Sequence, residues 1–285
     1  MIIDGKKISD QILAGLKAKI AADSIKLTYP TKLAIILVGD FPTSHIYVKN
    51  KMKAAEKVGI LTDLRKFDST ISEAELLSEV KKLNLDEEVS GIIIQMPLPN
   101  HIKSSKLIEA LDPSKDVDGF HPKNLGLLYG GYSNEFVPCT ALGVLHLIEE
   151  CESELSGKNA VVIGRSNIVG RPVAALLLQK DCSVTICHSQ TKNLSSITSK
   201  ADIIVSAIGR PKCLGQEYFN KDTIVIDVGI NRITNKDKSI LVGDVDFENV
   251  KDYVQHITKV PGGVGPMTVA YLLVNTHNAN LRRLV

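Results

Sequence analysis

Apolar positions along the chain switch repeatedly between the helical period and the strand period. Ile12, Leu13, Leu16 and Ile20 share one face of an amphipathic helix predicted over 8–20. Positions 32–38 form an apolar run of strand length, closed by Gly39 and Asp40. A helix is predicted over 44–58, with Gly59 placed to end it. A weaker strand follows at 61–67, then a helix at 72–83 opened by a capping box of Ser72 and Glu75. The run 91–95 reads as a buried strand that stops at Met96-Pro97-Leu98-Pro99. Strands alternating with helices in this way predict parallel β-α-β units.

A second block of the same kind begins after Tyr129-Gly130-Gly131-Tyr132. Thr140 is placed to N-cap a helix over 141–151, and the turn 156–159 opens a strand at 160–163. Further strands are predicted at 183–187, 202–207 and 223–228, separated by helical stretches. A last helix over 268–283, with Thr268 as its N-cap, is expected to pack back on the first block, because chain termini often lie together. The pattern predicts two α/β domains, without internal repeats.

Composition narrows the class. A chain of 285 residues suggests roughly two domains at about 150 residues each. Its 34 basic and 32 acidic side chains leave a net charge of +2, too balanced for a general nucleic-acid binder. The absence of Trp and an aromatic content of 5% argue against a base-stacking platform. A local basic pocket for an anionic small molecule remains compatible. The cysteines (Cys139, Cys151, Cys182, Cys187, Cys213) are odd in number and form no C-x-x-C pair, as expected for reduced thiols in a cytoplasmic protein. No apolar run reaches the ~18 residues of a membrane span, and the opening residues lack the apolar core of a secretory signal. No His, Cys or carboxylate cluster has metal-ligand spacing, so no metal is expected.

The second block carries a dinucleotide pattern. After the strand at 160–163 comes Gly164-Arg165-Ser166-Asn167-Ile168-Val169-Gly170-Arg171-Pro172, then a helix at 173–179. In that order a helix N-terminus and loop amides can face a pyrophosphate. Ser166 replaces the second glycine of a strict G-x-G-x-x-G, and on spacing alone an ordinary strand-to-helix turn is as good a reading. The next strand ends at His188 and Ser189 with no acidic residue to hold a ribose 2′-hydroxyl. Ser189 can instead bond a 2′-phosphate, with Arg165 supplying positive charge, so NADP is preferred over NAD. Two further strands end in Ser206-Ala207-Ile208-Gly209 and Asp227-Val228-Gly229-Ile230, where glycines admit a ligand close to the backbone or simply form tight turns.

The first block holds candidates for chemistry. Ser44, Tyr47 and Lys51 share a helix face, where a lysine beside a tyrosine can serve proton transfer or merely form a solvated pair. Gln95, at a strand end, can present both a donor and an acceptor to a ring edge. Asp118 in Lys115-Asp116-Val117-Asp118-Gly119-Phe120 can accept two hydrogen bonds from an amino-pyrimidine, or can form an Asp-Gly turn. The loop Pro261-Gly262-Gly263-Val264-Gly265-Pro266-Met267-Thr268 suits close approach of a flat ligand.

Tyr-Val-x-x-Lys (47–51), Ile-Gln-Met-Pro-Leu-Pro (94–99), Lys-Asp-Val-Asp-Gly-Phe (115–120), Gly-Arg-Ser-x-x-Val-Gly-x-Pro (164–172) and Pro-Gly-Gly-Val-Gly-Pro-Met-Thr (261–268) occur in the order found in one family. Over nearly its whole length the chain resembles the bifunctional methylenetetrahydrofolate dehydrogenase/methenyltetrahydrofolate cyclohydrolase family of the bacterial FolD type. The resemblance implies a three-layer α/β substrate domain and a Rossmann-like parallel-sheet NADP domain with a cleft between them. The first would span 1–139, completed by 265–285, and the second 140–264. It implies oxidation of 5,10-methylenetetrahydrofolate by NADP⁺, then hydrolysis of the methenyl product to 10-formyltetrahydrofolate, in a homodimer formed through the nucleotide domains.

Carried over by position, Lys51 serves the hydrolysis, Gln95 supports it, Tyr47 stacks on or positions the folate with Ser44 nearby, and Asp118 anchors the pterin. Pro261, Gly262 and Gly263 join the folate set, while Gly164, Arg165, Ser166, Ser189 and Ile230 resemble NADP contacts. The methenyl product is a cation, so Lys51 is expected to act as a neutral amine. Ala141, Lys259 and Met96 depart from residues common in the family without removing a catalytic group. Two other readings are weighed. A short-chain dehydrogenase also uses a Tyr-x-x-x-Lys pair, but there the glycine loop precedes the pair, whereas here Gly164 follows Lys51. An inactive NADP-binding regulatory protein is disfavoured by the presence of Lys51, Gln95 and Asp118.

Overall fold

The chain divides into two compact units, each built on its own parallel sheet. The computed structural model describes residues 1–132, 136–235 and 238–284. Its strands are β1 (Ile2–Ile3), β2 (Lys32–Val38), β3 (Leu61–Phe67), β4 (Gly91–Ile94), β5 (Asn159–Ile163), β6 (Ser183–Cys187), β7 (Ile203–Ser206), β8 (Ile224–Asp227), β9 (Asn231–Asn235), β10 (Lys238–Val242) and β11 (His256–Thr258). The helices are α1 (Gly5–Asp23), α2 (Pro42–Val58), α3 (Glu73–Leu85), α4 (Ser104–Ala110), α5 (Pro122–Tyr129), α6 (Cys139–Glu149), α7 (Gly170–Gln179), α8 (Leu194–Thr198), α9 (Phe247–Val250) and α10 (Val264–Leu281).

One unit is assembled from 10–127, 136–139 and 269–284. Its sheet has the order β3-β2-β4, with both pairings parallel. Because side chains alternate across a strand, the apolar run of β2 feeds two cores. Leu33, Ile35 and Leu37 pack with Leu16 of α1, Val48, Ala55 and Val58 of α2, and Leu272 and Leu273 of α10. Ala34, Ile36 and Val38 pack with Leu76, Val80 and Leu83 of α3 and Leu107 of α4. The result is three layers, helices on each face of a buried sheet. Ser72 caps α3 with Glu75 in the reciprocal box read from the sequence. The C-terminal helix is fixed here by polar bonds as well as apolar ones. His277 is fully buried and bridges Asp23 Oδ2 (3.0 Å) and Thr31 Oγ1 (3.1 Å).

The other unit comprises Met1–Ser9, Leu128–Tyr132 and Thr140–Thr268. Its six strands lie in the order β1-β11-β8-β7-β5-β6, all parallel. The chain leaves β5 to β6 on one side and returns to β7 on the other, so the order reverses at β5. That reversal opens a crevice at the carboxyl end of β5, the usual ligand position in doubly wound sheets. Helix α7 packs on β5 and β6, and Val161, Ile163, Ile204, Val225 and Ile257 share one apolar cluster with Val250 of α9.

Several expectations change. The opening residues, assigned from sequence to the first domain, add a strand to the six-stranded sheet, with Ile2 and Ile3 pairing in register with Ile257 and Thr258. Thr140 and Thr268 are not N-caps, because α6 and α10 begin earlier, at Cys139 and Val264. The Thr268 hydroxyl instead donates back to the Val264 carbonyl (3.3 Å) and lies 3.2 Å from the Thr140 hydroxyl. The antiparallel β9–β10 hairpin was not predicted. Since Ile35 is fully buried on the central strand, Ile35→Ala should destabilise the protein by about 2–5 kcal/mol. Urea unfolding followed by circular dichroism checks this, and a loss under about 1 kcal/mol would contradict the packing described.

Candidate active site

Helix α2 begins with Pro42 at its first turn, where the missing N–H costs nothing, and ends at Gly59 in the left-handed conformation. It thereby carries Ser44, Tyr47 and Lys51 along one side. Ser44 is buried, Tyr47 is 37% exposed and Lys51 is half-buried. The Lys51 Nζ donates to Gln95 Oε1 at 3.0 Å. Gln95 lies one residue beyond β4, its backbone amide still bonded to the Ile36 carbonyl at 2.9 Å. The Gln95 Nε2 donates to the Met96 carbonyl at 2.8 Å, and the Ser44 hydroxyl reaches the same carbonyl at 3.4 Å. With its amide nitrogen committed there, Gln95 has its oxygen turned to Lys51.

Asp118 lies within electrostatic reach of Lys51, in a loop whose backbone is held from several sides. Asp116 accepts the amides of Phe120 (3.2 Å) and His121 (2.7 Å) and the Asn124 side chain (2.9 Å). The Asn275 side chain of α10 donates to the carbonyls of Val117 (3.0 Å) and Val137 (3.3 Å). Gly119 is required: its φ is +79°, and a Cβ would lie 2.6 Å from the Val137 and Pro138 backbone. Burial pushes the Asp118 carboxyl above its ordinary range. Lys51 opposes the shift, Asp116 adds to it and the Cys139 thiol opposes it. Burial also pushes the Cys139 thiol well up, helped by Asp118 and Asp116, so it is a thiol and not a thiolate nucleophile. Its Sγ donates to the Val117 carbonyl at 3.2 Å.

In the six-stranded unit, the Gly164 turn leaves β5 where the strand order reverses. The Gly164 amide donates to Cys187 of β6, and the Ala207 amide donates to Ile163 of β5, at 2.9 and 2.8 Å. Gly164 has φ +142°, and a Cβ there would meet the Ala207 carbonyl at 2.5 Å. A Cβ on Gly170 would meet the Gly164 carbonyl at 2.1 Å, so both glycines are needed to fold the turn against the start of α7. Arg165 and Ser166 are exposed on that turn, and the Ser166 hydroxyl accepts the Val169 amide at 3.2 Å. Ser189 is exposed just past β6, and Ile230 is 46% exposed just past β8. No acidic side chain occupies 188–190, at the end of β6.

The structure therefore bonds Lys51 to Gln95, ties Ser44 and Gln95 to the same Met96 carbonyl, and brings Asp118 within electrostatic reach of Lys51, in the three-stranded unit. Pro261, Gly262 and Gly263 belong to the other unit, between β11 and α10, where a Cβ on Gly5 would meet the Gly263 carbonyl at 2.0 Å. Sequence reasoning missed Asn275, Cys139 and Asp116 as supports of the Asp118 loop. A polar residue on the apolar side of α10 was the one available signal for Asn275. Among the described residues no group of three His, Cys, Asp or Glu side chains is placed to hold a metal, and no helix is long and apolar enough to cross a membrane.

A sheet with a glycine turn at its order reversal, in a chain that also carries a half-buried lysine–amide pair with a carboxyl group in electrostatic reach, defines a two-unit α/β protein of the dinucleotide-dependent enzyme type. Comparison with known proteins sharpens this. Residues 3–118 match the tetrahydrofolate dehydrogenase/cyclohydrolase catalytic domain, and residues 138–284 match the NAD(P)-binding domain of the same family. The chain belongs to the tetrahydrofolate dehydrogenase/cyclohydrolase family. It is 57% identical over 278 residues to the bifunctional protein FolD of Rickettsia peacockii, covering 98% of this chain and 96% of the relative. The FolD methylenetetrahydrofolate dehydrogenase/cyclohydrolase of Campylobacter jejuni superimposes with a TM-score of 0.95 at 46% identity, covering 99% of each chain. The Trypanosoma brucei enzyme, solved with NADP cofactor and inhibitor, gives 0.95 at 35% identity over 99% of this chain and 98% of that one. With the glycine turn and the Tyr47–Lys51 pair in separate units, the short-chain dehydrogenase reading is set aside.

Proposed function

We propose that this protein oxidises 5,10-methylenetetrahydrofolate with NADP⁺ and hydrolyses the resulting 5,10-methenyl cation to 10-formyltetrahydrofolate. The observation that carries the reading is the Lys51–Gln95 hydrogen bond, with Asp118 in electrostatic reach of Lys51, in a chain that matches both family domains. When bound, NADP supplies the hydride acceptor, and oxidation then depends mainly on positioning. The Gly164–Gly170 turn fits the pyrophosphate end: it exposes Arg165 and Ser166 ahead of a ten-residue helix. Arg165 and Ser189, with no carboxylate at the end of β6, suit a 2′-phosphate.

For hydrolysis, Lys51, held by its hydrogen bond to Gln95, manages the proton released as water attacks. As water adds to the methenyl carbon, one water proton passes to Lys51; the C–N5 bond of the adduct then breaks as its hydroxyl proton moves to N5, leaving the formyl group on N10. Gln95 keeps the amine aimed, and Asp118 accepts donors from the pterin while offsetting positive charge in the site. Tyr47, partly exposed on the same helix side, stacks on the folate.

Five free cysteines fit a reducing cytoplasm. A homodimer formed through the nucleotide-binding unit is what the family resemblance implies. Light scattering during gel filtration should give twice the chain mass, and a mass that stays monomeric at micromolar concentration rejects it.

Lys51→Met should lower the hydrolase rate by about 10²-fold or more while appreciable dehydrogenase activity remains. Following NADPH formation and methenyl absorbance separately measures both, and an equal loss of the two would refute this division of roles. Arg165→Ala removes a charge-assisted phosphate contact, so KM for NADP should rise roughly 10- to 100-fold with little change for NAD. Equal changes for the two dinucleotides would remove Arg165 from the 2′-phosphate site.

A further inference from the structure

Two carboxylates that the proposed chemistry does not use are buried among the loops of the six-stranded unit. Asp227 ends β8, and Asp244 follows β10 by two residues. The Asp244 carboxylate accepts three successive backbone amides, from Ile208 (2.7 Å), Gly209 (3.1 Å) and Arg210 (3.0 Å). The Ser206 hydroxyl (3.1 Å) and the Asn231 side-chain amide (2.9 Å) also donate to it. One side chain therefore fixes the loop after β7 and the start of β9, which closes the loop after β8. Asp227 accepts the amides of Gly229 (3.0 Å), Asp244 (3.0 Å) and Val245 (2.9 Å), and so holds Asp244 in turn.

Two glycines show how closely the backbone wraps these groups. A Cβ on Gly229 would sit 2.2 Å from Asp244 Oδ1, and one on Gly243 would sit 1.9 Å from Asp227 Oδ2. Asp244 is fully buried and Asp227 nearly so, which leaves no water to replace a lost acceptor. Burial pushes the Asp227 carboxyl up to about 7 even though three amides bond it. Two buried carboxyl groups at one place are costly, and what they do here is orient loops. Since a trans peptide sets its N–H and C=O in opposite directions, amides turned onto Asp244 turn the Ala207, Ile208 and Gly209 carbonyls away from it. These loops lie at the carboxyl ends of β7 and β8, the edge at which such sheets bind dinucleotides.

We propose that Asp244, braced by Asp227, is a positioning residue for the cofactor: it presets the 206–210 and 228–231 loops, with Ile230, for NADP. This rests on the NADP reading above, and the test separates the two. Asp244→Asn puts an amide N–H₂ where three backbone donors converge, so the loops should loosen without loss of the fold. Calorimetric titration with NADP should show the Kd rising about tenfold or more over wild type. Hydrogen exchange in the protein without cofactor should show the Ile208, Gly209 and Arg210 amides exchanging about 100-fold faster. Hydrolysis of methenyltetrahydrofolate, which needs no dinucleotide, should change by less than about twofold.

Gly229→Ala supplies the second variant. It should weaken NADP binding in wild type by pressing on Asp244, and should add little in an Asp244→Ala background, where the obstructing oxygens are gone. An unchanged Kd for both variants, or amide exchange unaltered at 208–210, overturns the proposal. Parallel loss of NADP binding and hydrolase rate also overturns it, in favour of a general structural role. Failure of wild type to bind NADP at all would refute the cofactor reading instead, leaving the exchange result to judge Asp244.

Discussion

One hydrogen bond beyond the end of a strand, from the Gln95 amide to the Ile36 carbonyl, sets the position of the groups the proposed hydrolysis uses. It extends the β4–β2 ladder by one residue, so Gln95 inherits the rigidity of a strand buried on both faces. Its side chain is then oriented by the Met96 carbonyl and aimed at Lys51. A lysine on an isolated helix samples many rotamers. One tied at its tip to an amide that is itself bonded loses most of that freedom before substrate arrives.

The six-stranded unit uses the same device. The Gly164, Ala207 and Val228 amides each donate to a neighbouring strand one residue past its end, which anchors three loops at one edge of the sheet. Beyond that point no ladder is available, yet buried amides still need acceptors. Carboxylates supply them. Asp116 does so for the loop that carries Asp118, and Asp227 and Asp244 do so for the loops after β7 and β8. Both units thus hold irregular backbone next to a site by burying an aspartate under it.

Where a segment had a local cause, its boundaries were legible in the sequence. The strands at 32–38, 61–67 and 183–187 lie where the apolar pattern put them, and Ser72 and Glu75 form the expected capping box. Helix α2 starts two residues early because Pro42 is suited to a first turn. Elements stabilised by partners distant in sequence escaped. Ile2–Ile3 is too short to show a period and is a strand only because β11 lies beside it. Thr140 and Thr268 carry a helix-cap residue type but are used inside their helices, bonded to one another or to a carbonyl. In the candidate site, the offsets of Ser44, Tyr47 and Lys51 gave a shared side of α2, whereas the link to Gln95 came from family resemblance. Asn275 and Asp244 act on residues far away in sequence, so no spacing rule points to them.

The near-neutral charge of the chain conceals an ordered distribution. Asp116, Asp227 and Asp244 are buried with their oxygens turned onto backbone amides, while Arg165, on the turn before α7, and Arg171, in its first turn, stand exposed. An inward carboxylate is screened by the N–H groups it accepts and contributes little field at the surface, whereas an exposed guanidinium keeps its reach over about a Debye length, ~10 Å. The turn therefore carries a local positive field that the net charge of +2 does not suggest, as the proposed dinucleotide site requires. The site proposed at Lys51 needs the opposite arrangement, because a methenyl cation would be repelled by uncompensated positive charge. There Asp118 is placed within electrostatic reach of the lysine, where it can offset positive charge. Two reactions with contrary electrostatic demands can be served by one nearly neutral chain because the compensation is made residue by residue within each unit.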